Sequence, residues 1–210
     1  MNKLKSYLYK YILRKNNSLS AIPTDTPGIQ YGENSFIDGP TLQIDGAQYI
    51  RLGKDTGIGR NAWLGAFDSY LNQKFTPSIV IGNNVRIGNY VCITAIDRVQ
   101  IGDGCLFSEY VYISDHGHGY DPTLNLSPKE QDLTSKGPVE IGCNSFLGYR
   151  VCVLSGVTLG KNCVVGANSV VTKSFPDYTM LAGSPARAIK RFSFEQNKWI
   201  DIKNTNDENY

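Results

Sequence analysis

The sequence predicts an all-β parallel β-helix, and two observations carry this prediction. Between Ile141 and Thr172 the chain repeats every six residues, and each hexad opens with an aliphatic residue. Four of these residues are followed by Gly. A period of six is neither the 3.6 of a helix nor the 2 of an ordinary strand. We expect each hexad to form one flat face, and three faces to form one coil of a solenoid. The inward residues are Ile141, Leu147, Val153, Leu159, Val165 and Val171.

The same repeat accounts for most of the chain before residue 141. Hexads begin irregularly near residue 30 and become regular from Leu52, and the solenoid domain is predicted over residues 30–191. Two segments break the phase, at 66–79 and at 117–138. The second contains three Pro and several Asp, Asn and Ser residues, so it cannot lie in a stacked face and is predicted as an ejected loop. Residues 192–210 are predicted to form a short helix and a tail.

The N-terminal residues 1–17 have the pattern of an amphipathic helix. An apolar stripe (Leu4, Tyr7, Leu8, Tyr11 and Ile12) lies on one side, and five Lys and Arg residues without any acid cover the rest. One interpretation is a cap on the first coil, because solenoid ends need covering. The other is that residues 1–16 make peripheral contact with an anionic membrane.

Composition narrows the function classes. The net charge of +2 does not favour a nucleic-acid partner. No apolar run approaches the length of a membrane span, and the N-terminus lacks the pattern of a secretory signal, so a cytoplasmic location is predicted. The five Cys residues fall inside hexads and are interpreted as small buried hydrophobes in a reducing compartment. Without a CxxC pair, no metal site is predicted.

Both histidines of the chain, His116 and His118, stand where the second break begins. A loop on a rigid scaffold is a common place for functional residues. Histidine has the side-chain pKa closest to neutral pH, which suits a general base. The alternative is a polar loop that happens to contain two histidines.

Three segments carry a resemblance to a known family: TSKGPVEIG (134–142), VGANSVVTK (165–173) and AGSPARAIK (182–190). Together with the hexads and the loop histidine, they resemble hexapeptide-repeat acyltransferases over roughly residues 30–191. Within these the chain is most similar to the maltose and galactoside O-acetyltransferase branch, and there to O-acetyltransferases of O-antigen or capsule polysaccharides. The resemblance implies a left-handed β-helix, a homotrimer with active sites between subunits, acetyl-CoA as co-substrate and no metal.

The resemblance also implies roles for individual residues. The family's base lies five residues after the inward aliphatic that precedes the loop, which is Ile113 here, so His118 is the first candidate and His116 the second. Asp115 or Asp121 could orient the imidazole, and a backbone N–H of the adjacent coil could bind the oxyanion. The positions matching the CoA site are Gly148, Ala167, Thr172, Lys173, Arg187 and Lys190.

The acceptor site departs from the family pattern. The family's acceptor-binding Asn aligns with Gly88, with Asn89 one place off, and a common Trp is replaced by Phe146. The candidate acceptor contacts are Asn89, Tyr90, Asp115 and Phe146. Two alternatives stay open: an N-acetyltransferase acting on a nucleotide-linked amino sugar, and a non-enzymatic β-solenoid scaffold. A γ-type carbonic anhydrase needs three zinc-binding His, and the chain has two.

Overall fold

The structure is a computed structural model that describes residues 26–202. The predicted amphipathic helix at 1–17 lies outside the described residues. Three stacks of parallel strands form the three faces of the coil, and the chain visits them in rotation. This confirms the predicted parallel β-helix.

Short strands make up each face, because every hexad contributes only one. The first face contains Gln30–Tyr31, Ile50–Leu52, Ser78–Ile81, Arg98–Ile101, Val139–Ile141 and Thr158–Leu159. The second contains Phe36–Ile37, Gly57–Ile58, Arg86–Ile87, Leu106–Phe107, Phe146–Leu147, Val164–Val165 and Thr179–Gly183, followed by the antiparallel strands Ala186–Ser193 and Lys198–Asp201. The third contains Gln43–Asp45, Trp63–Ala66, Cys92–Ala95, Tyr112–Ser114, Cys152–Val153 and Val170–Val171. A 3₁₀ turn, Ala47–Tyr49, follows the first strand of the third face.

The core consists of columns of inward aliphatic side chains. The strand register places each hexad's first residue over its equivalent in the next coil, and all six predicted inward residues are buried. In the second face one column runs through Ile37, Ile58, Ile87, Phe107, Leu147, Val165 and Leu181. Burying each such side chain stabilises the fold by about 1.5–3 kcal/mol.

The glycine after the inward residue is required by space. A Cβ on Gly142 would overlap the backbone of Gly160 in the coil above. The left-handed backbone of the corners is provided instead by other residues, mostly Asn, as at Asn84, Asn144 and Asn162. Asn tolerates this conformation better than most residues with a side chain.

Two excursions leave the coil where the third face ends. The first (67–77) contains a hairpin, Ser69–Tyr70 paired with Gln73–Lys74. The second (117–138) is the predicted ejected loop. It begins and ends as a ribbon, Gly117–His118 paired with Leu133–Thr134, and has two 3₁₀ turns, Pro122–Leu124 and Pro128–Glu130. Both excursions therefore lie on one corner of the coil, between the third and first faces.

The C-terminal segment differs from its prediction. The sequence predicts a short helix followed by a tail over 192–210, but residues 192–202 continue and complete a hairpin that extends the second face. Phe192 pairs with Trp199 across the two strands, with ring centroids 5.5 Å apart. Aromatic cross-strand pairs of this kind stabilise antiparallel sheets. Residues 203–210 lie outside the described residues.

Candidate active site

His116 is held by a buried carboxylate. Its Nδ1 lies 2.8 Å from Oδ1 of Asp115, and its ring meets the ring of Phe67 edge-on at 5.9 Å. Only 11% of the His116 side chain is exposed. The pair sits directly after the strand Tyr112–Ser114, so the regular coil sets its position. This histidine is rigidly oriented but offers little surface to an incoming substrate.

The structure corrects the assignment of Asp115 as an acceptor contact. Its carboxylate is fully buried and accepts hydrogen bonds from the backbone N–H groups of Ile96 and Asp97 as well as facing His116. Buried carboxylates are retained when they are paired and hydrogen-bonded in this way. Asp115 therefore fastens the start of the second excursion to the neighbouring coil and does not reach a sugar.

His118 is exposed at the start of the second excursion. Its Nδ1 lies 3.3 Å from the hydroxyl oxygen of Tyr70, and the two rings meet edge-on at 5.4 Å. The same hydroxyl donates a hydrogen bond to the carbonyl oxygen of Lys129, at 2.6 Å. The predicted orienting residue Asp121 instead caps the 3₁₀ turn at Pro122–Leu124, where its carboxylate accepts hydrogen bonds from the hydroxyl and the backbone N–H of Thr123. These two hydrogen bonds lower the pKa of the Asp121 carboxyl.

Sequence reasoning missed the first excursion as part of this site. Gln73 pairs with the backbone of Leu133, accepting from its N–H at 2.7 Å and donating to its carbonyl at 3.1 Å. Leu133 is the strand partner of His118, so the hairpin braces the strand pair that carries the histidine. The only signal in the sequence was the break in phase at 66–79, which shows that the chain leaves the coil but not where it goes.

The second excursion is also tied together internally. The Gln131 side chain is buried and accepts from the N–H of Asp121, while it donates to the carbonyls of Asp121 and Leu126. Glu130 accepts from both the N–H and the hydroxyl of Ser127, which lowers the pKa of its carboxyl. These bonds order a mostly exposed segment without a hydrophobic core of its own.

Several predicted residues lie at a different corner, between the second and third faces. Gly148 and Ala167 follow one another in successive coils there, and a Cβ on Gly148 would lie 2.8 Å from the Ala167 nitrogen. Asn89 and Tyr90 turn the same corner in an earlier coil. Asn89 donates to the Glu109 carboxylate at 2.9 Å.

Large side chains replace Asn along this corner. Tyr90, Tyr110 and Arg150 occupy its left-handed position in three successive coils. The rings of Tyr90 and Tyr110 stack at 4.7 Å with an angle of 6° between their planes. The Arg150 guanidinium lies 5.6 Å from the centre of the Tyr110 ring and 5.2 Å from that of Tyr149. Residues of this size pay a conformational cost in the left-handed region, and such strain is concentrated at functional sites.

The remaining predicted CoA residues stand at the C-terminal end of the coil. Thr172 and Lys173 follow the last strand of the third face, and the Lys173 ammonium lies 5.7 Å from the Phe175 ring centre. Arg187 and Lys190 lie on the strand Ala186–Ser193, where Lys190 pairs with Asp201 at 3.1 Å. Phe146 points outward from the second face, between Leu106 and Val164 in the strand register.

The predicted residues thus separate into corners that one chain does not bring together. His116 and His118 stand between the third and first faces, and Gly148 and Tyr90 between the second and third. The outward column of the third face, which joins these two corners, carries no charged residue. It consists of Gln43, Trp63, Cys92, Tyr112, Cys152 and Val170. The outward column of the first face, by contrast, includes Arg51 and Glu140.

The cysteines are free thiols of unequal exposure. Cys105 and Cys163 are buried, as predicted, and Cys92 and Cys152 are half-buried. Burial raises the pKa of Cys92 and of Cys105 to about 11. The prediction is wrong for Cys143, which is exposed, because it lies in a corner turn after Gly142 and not in the inward column.

Two further findings concern residues 26–202 alone. Among them, no group of three His, Cys, Asp or Glu side chains is arranged to hold a metal ion. The same part of the chain contains no helix of the length and apolar character needed to cross a membrane.

Comparison with known proteins identifies relatives of this chain. The family model for the hexapeptide repeat of succinyl-transferase matches residues 50–95 and 138–173. WbbJ of Escherichia coli strain K12, whose name assigns it to lipopolysaccharide biosynthesis as an O-acetyl transferase, is 41% identical over 127 residues, or 58% of this chain and 64% of WbbJ. The galactoside O-acetyltransferase of the same organism is 33% identical over 136 residues, or 65% of this chain and 64% of the relative. The chain therefore spans less than two thirds of the length of these relatives.

A solved structure shows the fold. The N-acyltransferase AntD from Bacillus cereus, in complex with dTDP and 3-hydroxybutyryl-CoA, superposes with a TM-score of 0.66, covering 89% of this chain and 90% of that chain at 18% identity. At this identity the likeness concerns the fold alone. With the strand topology and the repeat family, it confirms the predicted left-handed parallel β-helix.

Proposed function

We propose that this chain, which belongs to the hexapeptide-repeat acetyltransferase family, is an acetyl-CoA-dependent O-acetyltransferase. Its acceptor is a hydroxyl of a sugar in the assembly of a surface polysaccharide or lipopolysaccharide. The observation that carries the proposal is His118, an exposed imidazole whose Nδ1 is occupied by Tyr70 and whose other ring nitrogen is left for a substrate. The names of WbbJ and of the galactoside O-acetyltransferase support the acceptor class.

The reaction needs a positioned base because a sugar hydroxyl does not ionise at neutral pH. In our proposal Nε2 of His118 removes the hydroxyl proton while the oxygen attacks the thioester carbonyl carbon of acetyl-CoA. A tetrahedral oxyanion forms and is stabilised by backbone N–H groups of the adjacent coil. The C–S bond then breaks, the acetyl ester is released, and the imidazolium returns its proton to the CoA thiolate. Atoms and charge balance without a covalent enzyme intermediate.

The donor is recognised along the coil toward its C-terminal end. Gly148 and Ala167 themselves add little side-chain bulk beside Tyr149 and Arg150, so a narrow pantetheine arm can lie against the backbone at these two positions. Lys173, Arg187 and Lys190 supply positive charge for the phosphates, and charge-assisted bonds of this kind are stronger than neutral ones. Thr172 adds an exposed hydroxyl at the same end.

The site is completed by a homotrimer. His118 and the pair Gly148 and Ala167 lie on different corners of one chain, so a neighbouring copy has to bring the two corners together. The outward column of the third face joins these corners and its own side chains are uncharged; Asp45, on the first strand of that face, lies beside Trp63 at its N-terminal end. This column is the surface that we assign to the contact. Apolar, charge-depleted patches are typical of interface cores.

The trimer is tested by placing a charge in that column. Cys152→Asp puts a carboxylate into the proposed contact and should convert the protein to monomers in light scattering, with loss of transfer activity. Gln100→Asp on the first face is the matched control and should leave the mass unchanged. A trimer that survives Cys152→Asp would refute this choice of surface.

The acceptor assay tests the function itself. The full chain is incubated with acetyl-CoA and a panel of glycans, and free CoA thiol is measured. Release with hydroxyl acceptors supports O-acetylation. Release only with nucleotide-linked amino sugars would establish the N-acetyltransferase alternative, for which AntD provides the fold precedent. If the protein neither binds acetyl-CoA nor releases thiol, the result would support the alternative of a non-enzymatic β-solenoid scaffold.

We assign the protein to the cytoplasm, where acetyl-CoA is made, with residues 1–16 in contact with the inner membrane surface. The five basic residues of that segment support the second part. Deleting residues 1–16 should release the protein from sedimenting anionic vesicles. If the full chain fails to sediment with them, the membrane contact is wrong and the segment is left as a cap.

A further inference from the structure

Tyr70 of the first excursion contacts two groups of the second. Its hydroxyl donates to the Lys129 carbonyl at 2.6 Å and lies 3.3 Å from Nδ1 of His118. The tyrosine stands 48 residues before the histidine and outside every hexad. The contacts between the two excursions include hydrogen bonds of Tyr70 and Gln73 and the ring contact of Tyr70 with His118. A specific contact at the candidate base requires an explanation.

The phenol of Tyr70 has a single proton to donate, and where that proton goes determines which nitrogen of the His118 imidazole is protonated. A carbonyl oxygen can only accept, so the single hydroxyl proton of Tyr70 is used in the bond to Lys129. The phenol oxygen is then left as an acceptor toward His118. A neutral imidazole that donates from Nδ1 carries its lone pair on Nε2.

We propose that Tyr70 is a positioning residue that holds His118 in the Nδ1–H tautomer and so presents Nε2 as the base. This inference rests on the proposed function, in which His118 removes the acceptor proton. The role is the one that a carboxylate performs in many catalytic histidine pairs, filled here by a neutral phenol. A phenol adds no negative charge to an exposed site.

The surroundings keep this geometry in place. Gln73, in the strand paired with that of Tyr70, is bonded to both backbone groups of Leu133, the strand partner of His118. The hairpin therefore contacts His118 directly through Tyr70 and holds the strand partner of His118 through Gln73. The Nδ1–H bond to the phenol becomes charge-assisted once Nε2 has taken a proton, so it strengthens as the imidazolium forms.

The test removes one oxygen atom. Tyr70→Phe keeps the ring against His118 and should lower kcat by about 10- to 100-fold, the range expected for a hydrogen bond to a charged group. KM for acetyl-CoA should not change, since Tyr70 is absent from the proposed donor site. The matched control is Tyr120→Phe in the second excursion, an 83% exposed tyrosine, which should keep wild-type kinetics.

A spectroscopic measurement reads the tautomer without relying on activity. With only two histidines in the chain, nitrogen NMR of labelled protein carrying His116→Gln reports on His118 alone. We expect protonated Nδ1 and bare Nε2 in this protein, and a mixture of tautomers after Tyr70→Phe is added. An Nε2–H tautomer in the presence of Tyr70, or unchanged kcat in Tyr70→Phe, would overturn the inference. If His118→Ala keeps full activity, the proposed base itself is wrong, which is a separate outcome.

Discussion

The stacked coils and the two excursions are stabilised in different ways, and the difference separates stability from chemistry. Coils bury aliphatic columns that run through every turn, such as the one through Leu147. The excursions bury little and are held by a few polar side chains that each make two or three contacts, namely Tyr70, Gln73 and Gln131. A change in a column should therefore affect the whole fold, whereas a change in an excursion should act locally.

The largest expected effect lies in the second excursion. His118→Ala should lower acetyl transfer by about 10²–10⁴-fold, the usual contribution of a general base. Thermal melting should barely change, because the side chain is exposed, and the shift of melting temperature on adding acetyl-CoA should persist. His116→Ala is the matched control. If it alone abolishes transfer, His116 is the base.

A column substitution should show the opposite behaviour. Leu147→Ala removes a fully buried side chain between Phe107 and Val165 and should lower the free energy of unfolding by about 2–5 kcal/mol. Urea titration followed by circular dichroism measures this change. At temperatures where the variant stays folded, its kcat should remain close to that of the parent chain. A loss below 1 kcal/mol would contradict the assignment of stability to the columns.

The brace between the excursions should have a smaller effect. Gln73→Ala removes both bonds to Leu133, so amide hydrogen exchange at Leu133 should accelerate while the global melting temperature stays almost the same. Gln43→Ala, in a coil strand, is the control and should not change exchange at Leu133. Equal exchange in both variants would mean that the two excursions are ordered independently.

Cysteine labelling gives the smallest expected effect. The thiols of Cys92 and Cys105 have pKa values raised to about 11, so near neutral pH they are almost entirely protonated and should resist alkylation. The exposed Cys143 should be modified first, as read by mass spectrometry. In the unfolded chain these thiols ionise at their ordinary pKa of 9.0, whereas in the folded chain they ionise at about 11. The folded state therefore loses stability as the pH rises from 9.0 through about 11, because the unfolded chain releases these protons first. Rapid labelling of Cys105 in the native state would show that the coil opens.

The sequence was sufficient to predict where much of the site lies, but not which side chains contact each other within it. The phase of the hexads showed where the chain leaves the coil, and both histidines stand at one of those points. The contact between Tyr70 and His118 could not be predicted, because it joins two segments without a repeat to fix their register. The burial of Asp115 was missed for a similar reason, since its partners at Ile96 and Asp97 belong to the preceding coil.

By itself, the sequence determined the solenoid, its inward columns and the places where it is interrupted. A six-residue period is a local rule that each coil repeats, so it can be read without knowing the rest of the chain. Tertiary structure alone decided how the two excursions meet, which histidine is exposed and how the C-terminal residues pair. These features depend on single long-range hydrogen bonds and ring contacts, which leave no periodic trace in the order of the residues.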